Sequence, residues 1–219
     1  MGLNVIMMGP PGAGKGTQAT RFALERGLVK ISTGDILRDG VKEMNAEALL
    51  AKAKMDRGEL VDDATMIAIV RQRLLRSDAS GGFVLDGFPR TVPQARALDQ
   101  IMEERRNGPL VIVDVCVPED ELVKRLAIRR ICSKCGAGAD PFGATHTCKV
   151  CGGPLVQRTD DNQDVVLNRL QIYHRSTEPV LEFYRTRPTF RTVNGAQAPD
   201  VVARELDVTI DQAANGSDV

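Results

Sequence analysis

Aromatic side chains are scarce. The 219 residues include no tryptophan, two tyrosines and six phenylalanines, so aromatic residues make up 4% of the chain. Proteins that hold single nucleic-acid strands stack the bases on aromatic side chains along a basic groove. The formal net charge is zero, since 29 lysines and arginines balance 29 acidic residues. We therefore expect no nucleic-acid partner.

Long apolar segments are also lacking. No apolar run approaches the roughly 20 residues that cross a bilayer. The N-terminus has no charged region followed by an apolar stretch and a small-residue cleavage site. We expect a soluble, cytoplasmic protein with no membrane partner. With 42% hydrophobic residues, the chain can bury a sizeable core, as one domain with insertions or with a small second domain.

The five cysteines are unevenly placed. Four of them form two C-x-x-C pairs, and the fifth, Cys116, lies in the apolar run LVIVDVCV. An oxidised secreted framework usually has an even count of cysteines and a wider spread. A free cysteine in such a run behaves as a small hydrophobe, so we expect Cys116 to be an inert, buried strand residue.

Strand-length apolar runs alternate with segments of helical periodicity, which begin near Lys15, Asp62, Val92 and Pro118. Continuous apolar strands in this rhythm predict a parallel sheet that is buried on both faces. We predict an α/β fold with a five-stranded parallel sheet. Its strands are expected at Leu3–Met8, Leu28–Ile31, Gly82–Leu85, Leu110–Val117 and Phe190–Val193.

Two segments interrupt this rhythm. Residues 32–61 have helical character without a strand, and residues 128–161 are rich in Gly, Cys, Thr and Asp with little periodicity. Long irregular segments inside a domain are usually lids or binding loops. We therefore treat residues 1–219 as one core carrying two insertions, 32–61 and 128–161, at the carboxyl edge of the sheet, where ligands of such folds bind.

The stretch GPPGAGKGT, from Gly9 to Thr17, follows the first apolar run and precedes a helical segment. It matches most of the phosphate-binding pattern G-x-x-x-x-G-K-[ST]. Backbone N–H groups of such a turn converge at a helix N-terminus, and Lys15 adds a full positive charge. A dinucleotide-binding turn would instead show G-x-G-x-x-G without a lysine. We predict a nucleotide phosphate loop.

Gly16 occupies the position where a Ser or Thr hydroxyl usually reaches magnesium. Without that hydroxyl, Mg²⁺ must be held by waters, phosphates and a carboxylate elsewhere, which its coordination chemistry allows. Asp86, at the end of the apolar run GFVLD, is the first candidate for that carboxylate. Asp35 in STGD is a second candidate, and it could also cap a helix.

Five segments, in this order, resemble the adenylate kinases, specifically the long bacterial form with a zinc-bearing lid: GPPGAGKGTQ, ISTGDILR, DGFPRTVPQA, KRLAIRR and RTDD. The resemblance runs from Leu3 to about Ile210, and in that family G-K-G-T is the normal form of the loop. It implies a P-loop three-layer fold with a helical insertion that binds the nucleoside monophosphate (NMP) and a small zinc-knuckle lid. It also implies reversible, Mg²⁺-dependent transfer of the terminal phosphoryl group of ATP to AMP, giving two ADP.

Arginines are the residues that this chemistry requires, because it brings two polyanions together and the guanidinium fork binds phosphate bidentately. Arg125 and Arg129 are four residues apart, so we expect them to share one helix face. The resemblance implies a catalytic set of Lys15, Asp86, Arg90, Arg125, Arg158 and Arg169. It implies ATP contacts from Gly12, Ala13, Gly14, Lys15, Gly16, Thr17, Arg125, Arg129 and Gln197. It implies AMP contacts from Thr33, Arg38, Glu59, Leu60, Val61, Gly87, Phe88, Pro89, Arg90, Gln94, Arg158 and Arg169.

Two residues distinguish adenine from a pyrimidine as the base of the acceptor nucleotide. A pyrimidine-nucleotide kinase of similar fold tends to carry Ala in place of Thr33 and Asn near Gln94. Thr and Gln can hydrogen-bond to the edge of adenine, which carries both a donor and an acceptor. AMP is therefore favoured over UMP or CMP. As donor we expect ATP, and GTP stays open.

The two C-x-x-C pairs, separated by twelve residues, present four thiolates: Cys132, Cys135, Cys148 and Cys151. This arrangement is typical of structural Zn²⁺. A redox dithiol pair and two disulfides are the alternatives, and the cytoplasm disfavours disulfides. His146 is the other possible ligand nearby, and we expect it to be exposed. One departure from the resemblance is Ala139, where family members often have an aromatic residue; the nearest aromatic is Phe142.

Because both insertions need room to move, we expect a monomer.

Overall fold

Five parallel strands form the central sheet of the computed structural model, which describes residues 2–43, 46–139 and 146–216. The five strands of this sheet are β1 (Leu3–Met8), β2 (Val29–Ser32), β3 (Gly82–Asp86), β4 (Leu110–Cys116) and β7 (Phe190–Asn194). Two short strands outside it are β5 (Ile131–Cys132) and β6 (Leu155–Val156). The sheet order is β2-β3-β1-β4-β7, and β5 and β6 form a separate antiparallel pair. The predicted fold class is confirmed.

The helices occupy the segments between the strands. They are α1 (Lys15–Glu25), α2 (Thr33–Lys42), α3 (Ala46–Asp56), α4 (Asp63–Leu74), α5 (Val92–Arg105), α6 (Glu119–Ile128), α7 (Gln163–Ile172), α8 (Glu178–Tyr184) and α9 (Pro199–Ala214). A π-helical segment, Tyr173–Thr177, joins α7 to α8. None of the helices in the described part of the chain combines the length and the apolar character needed to span a bilayer.

Helices cover both faces of the sheet, which gives three layers. Alternate strand residues point to opposite faces, so Ile6 packs against α4, α5 and α8, whereas Val5 and Met7 pack against α1 and α9. Burying a side chain of this size stabilises the fold by about 1.5–3 kcal/mol. The apolar runs of β1, β3 and β4 are continuous because both faces of these strands are covered.

Both segments predicted as insertions contain secondary structure. Helices α2 and α3 lie within residues 32–61, and the β5–β6 pair lies within residues 128–161. The boundaries of the two insertions stay predictions. Phe142 lies outside the described residues, whereas Ala139 is described and its backbone N–H donates to the carbonyl of Arg130 (2.9 Å).

The expectation that Cys116 is buried is wrong. Cys116 is the last residue of β4, and its side chain is exposed although its backbone is still paired with Asn194 of β7. The strand ends here, one residue before the predicted end at Val117. Its sulfur donates to Asp114 Oδ2 (3.3 Å). Partial desolvation, reinforced by this carboxylate, raises the pKa of the Cys116 thiol to about 11. A thiol with this pKa is protonated near neutral pH, which disfavours reaction as a nucleophile. The inertness of Cys116 stays a prediction.

Candidate active site

The phosphate loop connects the end of β1 to the start of α1. Gly14 is the N-cap of α1, with φ of +90°, and a Cβ built there would meet nothing within 4 Å. This left-handed conformation favours glycine and leaves the space in front of the helix N-terminus open. The Lys15 ammonium donates to the carbonyl of Pro10 (2.7 Å), so the lysine folds back over the loop.

The charge of Lys15 is held in an unfavourable environment. Desolvation lowers the pKa of Lys15 to about 8, and although Asp86 opposes this shift, the nearby arginines Arg90, Arg169 and Arg129 reinforce it. An anion placed against the loop would restore the charged form of the lysine. Both the backbone N–H groups of the loop and the side chain of Lys15 therefore favour binding of an anion.

Asp86 ends β3, which lies next to β1 in the sheet. A Cβ built on Gly16 would lie 3.2 Å from Asp86 Oδ2. A side chain at position 16 would crowd the carboxylate, so the glycine lets Asp86 reach the phosphate loop. A carboxylate at the mouth of such a loop fits Mg²⁺, which takes one or two carboxylates and keeps several waters.

Asp35 does not cap α2. The cap is Ser32, whose hydroxyl accepts from the backbone N–H of Asp35 (3.3 Å). The carboxylate of Asp35 instead accepts from Arg38 Nη2 (2.6 Å), and Lys30 Nζ lies 3.5 Å away. Although burial opposes it, the pairing with Arg38 lowers the pKa of Asp35. The prediction that Asp35 caps the helix is therefore wrong. Its carboxylate orients the side chain of Arg38.

Two neighbouring carboxylates, Asp160 and Asp161, hold the arginines of the second insertion and α7. Arg158 binds Asp160 bidentately, with distances of 2.8 and 2.6 Å. The side chain of Asp161 is fully buried. It accepts from Arg129 through two hydrogen bonds and from Arg169 Nη1 (3.3 Å). These two partners were not predicted, although the segment RTDD contains the signal: two acids lie two and three residues after Arg158.

The guanidinium groups lie close enough to affect one another. Desolvation lowers the pKa of Arg169 to about 10, and the neighbouring guanidinium groups reinforce this shift while Asp160 opposes it. Desolvation likewise lowers the pKa of Arg90, with contributions from Arg38 and Arg158. Cations from α2, from the loop after β3, from the second insertion and from α7 therefore converge beside Lys15. Such a centre attracts a polyanion strongly.

Arg125 and Arg129 do not share a helix face, which corrects that prediction. Helix α6 ends at Ile128, and Arg129 is extended (φ −63°, ψ 129°). Arg129 therefore turns to Asp161, whereas Arg125 donates to Glu121 Oε1 (3.0 Å) and to the carbonyl of Gly195 (2.9 Å). The second contact places Arg125 beside the turn that leads to Gln197.

A pocket opens between α2, α4 and the loop that follows β3. The apolar side chains of Leu37, Met55 and Met66 line it together with polar groups. Among its lining residues are these predicted AMP contacts: Thr33, Glu59, Leu60, Val61, Gly87, Arg90 and Gln94. An apolar pocket with a few convergent polar groups is typical of a small-molecule site.

Hydrogen bonds fix the polar wall of this pocket. The Thr33 hydroxyl and Arg90 Nε both donate to the carbonyl of Gly87, at 3.0 and 2.8 Å. The backbone of Arg90 is held on both sides, because its N–H donates to Gln94 Oε1 (2.8 Å) and its carbonyl accepts from the Thr177 hydroxyl (3.0 Å). The side chain of Phe88 lies in the core, 1% exposed, so Phe88 can meet a ligand only through its backbone.

The four cysteines of the C-x-x-C pairs come together, and their sulfur atoms all lie within 4.8 Å of one another. The separations of Cys132 from Cys151 and of Cys135 from Cys148 are 3.4 and 3.6 Å, too long for a disulfide bond of about 2.05 Å. Four ligands at about 2.3 Å from Zn²⁺ in a tetrahedron lie about 3.8 Å apart, so the cluster fits this metal.

The surroundings of the cluster favour the thiolate of Cys132. The backbone N–H of Cys135 donates to Cys132 Sγ (3.5 Å), and this hydrogen bond lowers the pKa of Cys132 to about 6. Although the backbone N–H of Ala137 opposes it, hydrogen bonds with the thiols of Cys151 and Cys132 raise the pKa of Cys135. His146 is exposed, as predicted, and its ring faces Arg130 Nη1 at 3.4 Å.

Comparison with known proteins decides the family. The family model described as adenylate kinase matches residues 7–189. The chain belongs to the adenylate kinase family. Three adenylate kinases illustrate the similarity. That of Geobacillus sp. is 46% identical over 93% of this chain and 96% of its own length. That of Methanosarcina acetivorans is 44% identical over 93% and 96%, and that of Archaeoglobus fulgidus is 42% identical over 96% and 99%.

Proposed function

We propose that this member of the adenylate kinase family transfers the terminal phosphoryl group of ATP to AMP, reversibly, giving two ADP. The convergence of Lys15 with five arginines between the phosphate loop and the pocket carries this proposal. A site for one nucleotide needs one anion-binding surface. Here two ligand positions, the phosphate loop and the pocket, face the same cluster of cationic side chains. Phosphoryl transfer relies mainly on positioning and on neutralising the transferred group.

The donor lies along the phosphate loop. Backbone N–H groups and Lys15 bind its phosphates, and Arg125 and the turn at Gln197 flank its nucleoside. The acceptor occupies the pocket of Thr33 and Gln94, with its phosphate toward Arg38 and Arg90. Arg129, Arg158 and Arg169 neutralise the group in transit between the two nucleotides.

Water is kept out by the second insertion. A Cβ built on Gly138 would lie 3.6 Å from the Thr17 hydroxyl, so the lid reaches the start of α1. Closing a site in this way prevents transfer of the phosphoryl group to water. A rigid lid suits this task, and the cysteine cluster holds together a segment with few apolar residues.

Two metals fit the residues present. Asp86, with the space left by Gly16, would hold Mg²⁺ through its carboxylate; when bound, Mg²⁺ neutralises phosphate charge. Cys132, Cys135, Cys148 and Cys151 would hold a structural Zn²⁺ with all four positions filled, which contributes folding energy and leaves no site for water. The cytoplasmic location, the monomeric state and the absence of a nucleic-acid partner stay predictions.

The decisive assay supplies purified protein with Mg²⁺, ATP and AMP and measures ADP. We expect two ADP for each AMP consumed, and no ADP would contradict the proposal. Parallel reactions with GTP as donor, and with UMP or CMP as acceptor, test the alternative of a related nucleoside monophosphate kinase. We expect these to be at least about tenfold less efficient, because a site that hydrogen-bonds one base leaves polar groups unpaired with another.

A further inference from the structure

The side chain of Gln94 is unusually constrained for a pocket-lining residue. It is 2% exposed. Its Oε1 accepts from the backbone N–H of Arg90 (2.8 Å), and its Nε2 donates to Asp63 Oδ1 (2.8 Å). Each of these atoms has capacity for one more hydrogen bond, because a primary amide offers two donors and two lone pairs. One N–H and one lone pair therefore remain for a ligand in the pocket.

Asp63 and the backbone N–H of Arg90 together fix the direction of the Gln94 amide. A carboxylate is an acceptor only, so the atom that faces Asp63 must be the NH₂ group of Gln94. Asp63 is itself oriented, because the same Oδ1 accepts from the Thr91 hydroxyl (2.9 Å). It is the first residue of α4, where the helix dipole favours a negative charge. A reversed amide would place two acceptors against each other at Asp63 and two donors against each other at Arg90.

The direction of the amide matters because purines differ at position 6. Adenine carries an amino donor there beside a ring acceptor, whereas guanine carries a carbonyl acceptor. An amide held as observed offers its lone pair to a 6-amino group and its N–H to the neighbouring ring nitrogen. A 6-oxopurine would put an acceptor against the amide oxygen. The reversed amide would suit the 6-oxopurine instead.

We propose that Asp63 is a specificity-determining residue, which holds the Gln94 amide in the one orientation that fits a 6-aminopurine and rejects a 6-oxopurine. Asp63 is a positioning residue, because it acts through Gln94. The proposal rests on the proposed function, in which a nucleoside monophosphate occupies this pocket. It adds a residue outside the predicted AMP-binding set and gives it a role in choosing between two purines.

The test compares AMP with IMP, which differ in the group at position 6. The variant is Asp63→Asn, because asparagine keeps the shape while its NH₂ group can face the oxygen of a reversed Gln94. The backbone N–H of Arg90 is then the remaining contact that opposes the reversal. Asp62→Asn is a matched control at the preceding position: Asp62 caps the same helix through the N–H of Thr65 (2.9 Å), and its removal takes away the same charge. Steady-state assays of the full chain with Mg²⁺ and ATP give kcat/KM for each acceptor.

We expect the AMP-to-IMP ratio of kcat/KM to fall about tenfold or more in Asp63→Asn, in line with the discrimination carried by a bidentate amide–base pair. The change should lie mainly in KM. The ratio should stay within about twofold in Asp62→Asn. Because both acceptors are measured on one preparation, an unfolded fraction lowers both rates equally and leaves the ratio unchanged.

A ratio within about twofold of the parent in Asp63→Asn, or IMP turnover that stays below detection while AMP is still used, overturns the role of Asp63. A parent protein that forms no ADP from ATP and AMP overturns the proposed function instead. The two failures are therefore distinguishable.

Discussion

Gly16 and Asp86 face each other at the mouth of the phosphate loop, and a Cβ on Gly16 would come within 3.2 Å of Asp86 Oδ2. The glycine is the second residue of α1, where alanine favours the helix by up to about 1 kcal/mol. We predict that Gly16→Ala leaves thermal stability unchanged or slightly higher, while kcat/KM falls about tenfold or more and more Mg²⁺ is needed for half-maximal rate. The methyl group would move the carboxylate of Asp86 away from the position at which we propose that it holds Mg²⁺.

Thermal unfolding and a Mg²⁺ titration of the rate check this prediction. Gly81→Ala is the matched control, because a Cβ at Gly81 meets nothing within 4 Å and the position is remote from the site. Full activity of Gly16→Ala at the parent's Mg²⁺ requirement would show that Asp86 does not need this space.

The buried Asp161 gives a second prediction. Asp161→Asn removes the charge that holds Arg129 and Arg169, and hydrogen bonds to charged groups contribute about 1.5–3 kcal/mol. We expect a loss of about that size in the free energy of unfolding, measured with urea, and a lower kcat because the two guanidinium groups lose their positions. Asp120→Asn is the comparison: its pair with Lys124 is about 70% exposed, so a loss of no more than about 0.5 kcal/mol is expected. Equal losses in the two variants would contradict the structural role of Asp161.

The lowered pKa of Lys15 predicts proton uptake on nucleotide binding. With a pKa of about 8, Lys15 is half protonated at pH 8, and bound phosphates raise its pKa. ATP binding at pH 8 should take up about half a proton, falling to about a tenth at pH 7. Calorimetry in two buffers of different ionisation enthalpy measures this uptake.

The lowered pKa of Lys15 also makes the stability of the protein without nucleotide depend on pH. Because the folded pKa of about 8 lies below the usual 10.5, the charged lysine destabilises the fold fully below pH 8, and stability is regained as pH rises from 8 to 10.5. Lys15→Arg provides the control, since arginine stays charged throughout this range. Uptake that persists unchanged in Lys15→Arg would assign the proton to another group.

Metal analysis tests the cysteine cluster. Freshly prepared, reduced protein should contain about one zinc per chain. Cys132→Ser should lose the metal and make the lid sensitive to proteases, since metal binding contributes folding energy to such segments. Cys116→Ser, which alters a cysteine outside the cluster, should retain both metal and protease resistance. A zinc-free parent would refute the metal site and leave the proposed reaction untouched.

Periodicity and motif spacing predicted the fold closely. Strand β1 and helix α1 begin and end where the apolar run and the helical pattern do, because strands buried on both faces and helices that start at a glycine loop leave strong local signals. The error at Cys116 has a physical origin: an apolar run does not show where the edge of the sheet lies, and the last paired residue of β4 is exposed at that edge. Likewise, a spacing of four predicts a shared helix face only while the helix lasts, and α6 ends one residue before Arg129.

Partners that lie far apart in sequence were not predictable. Asp63 and Gln94 are 31 residues apart, and the Thr177 hydroxyl reaches Arg90 across 87 residues. No local pattern encodes such contacts, because they depend on how α4, α5 and α8 pack. The sequence indicated which residue types the chemistry requires, and the structure adds which neighbours aim them.

The pairing of arginines with Asp160 and Asp161 has a thermodynamic consequence. A free arginine side chain loses about 0.5–1.5 kcal/mol of rotamer entropy when a ligand immobilises it. Carboxylates already immobilise Arg129, Arg158 and Arg169. The entropy of these three side chains is therefore lost on folding and not on nucleotide binding. The substrate therefore binds to side chains that are already ordered. More of its binding free energy can then stabilise the closed lid and the transition state.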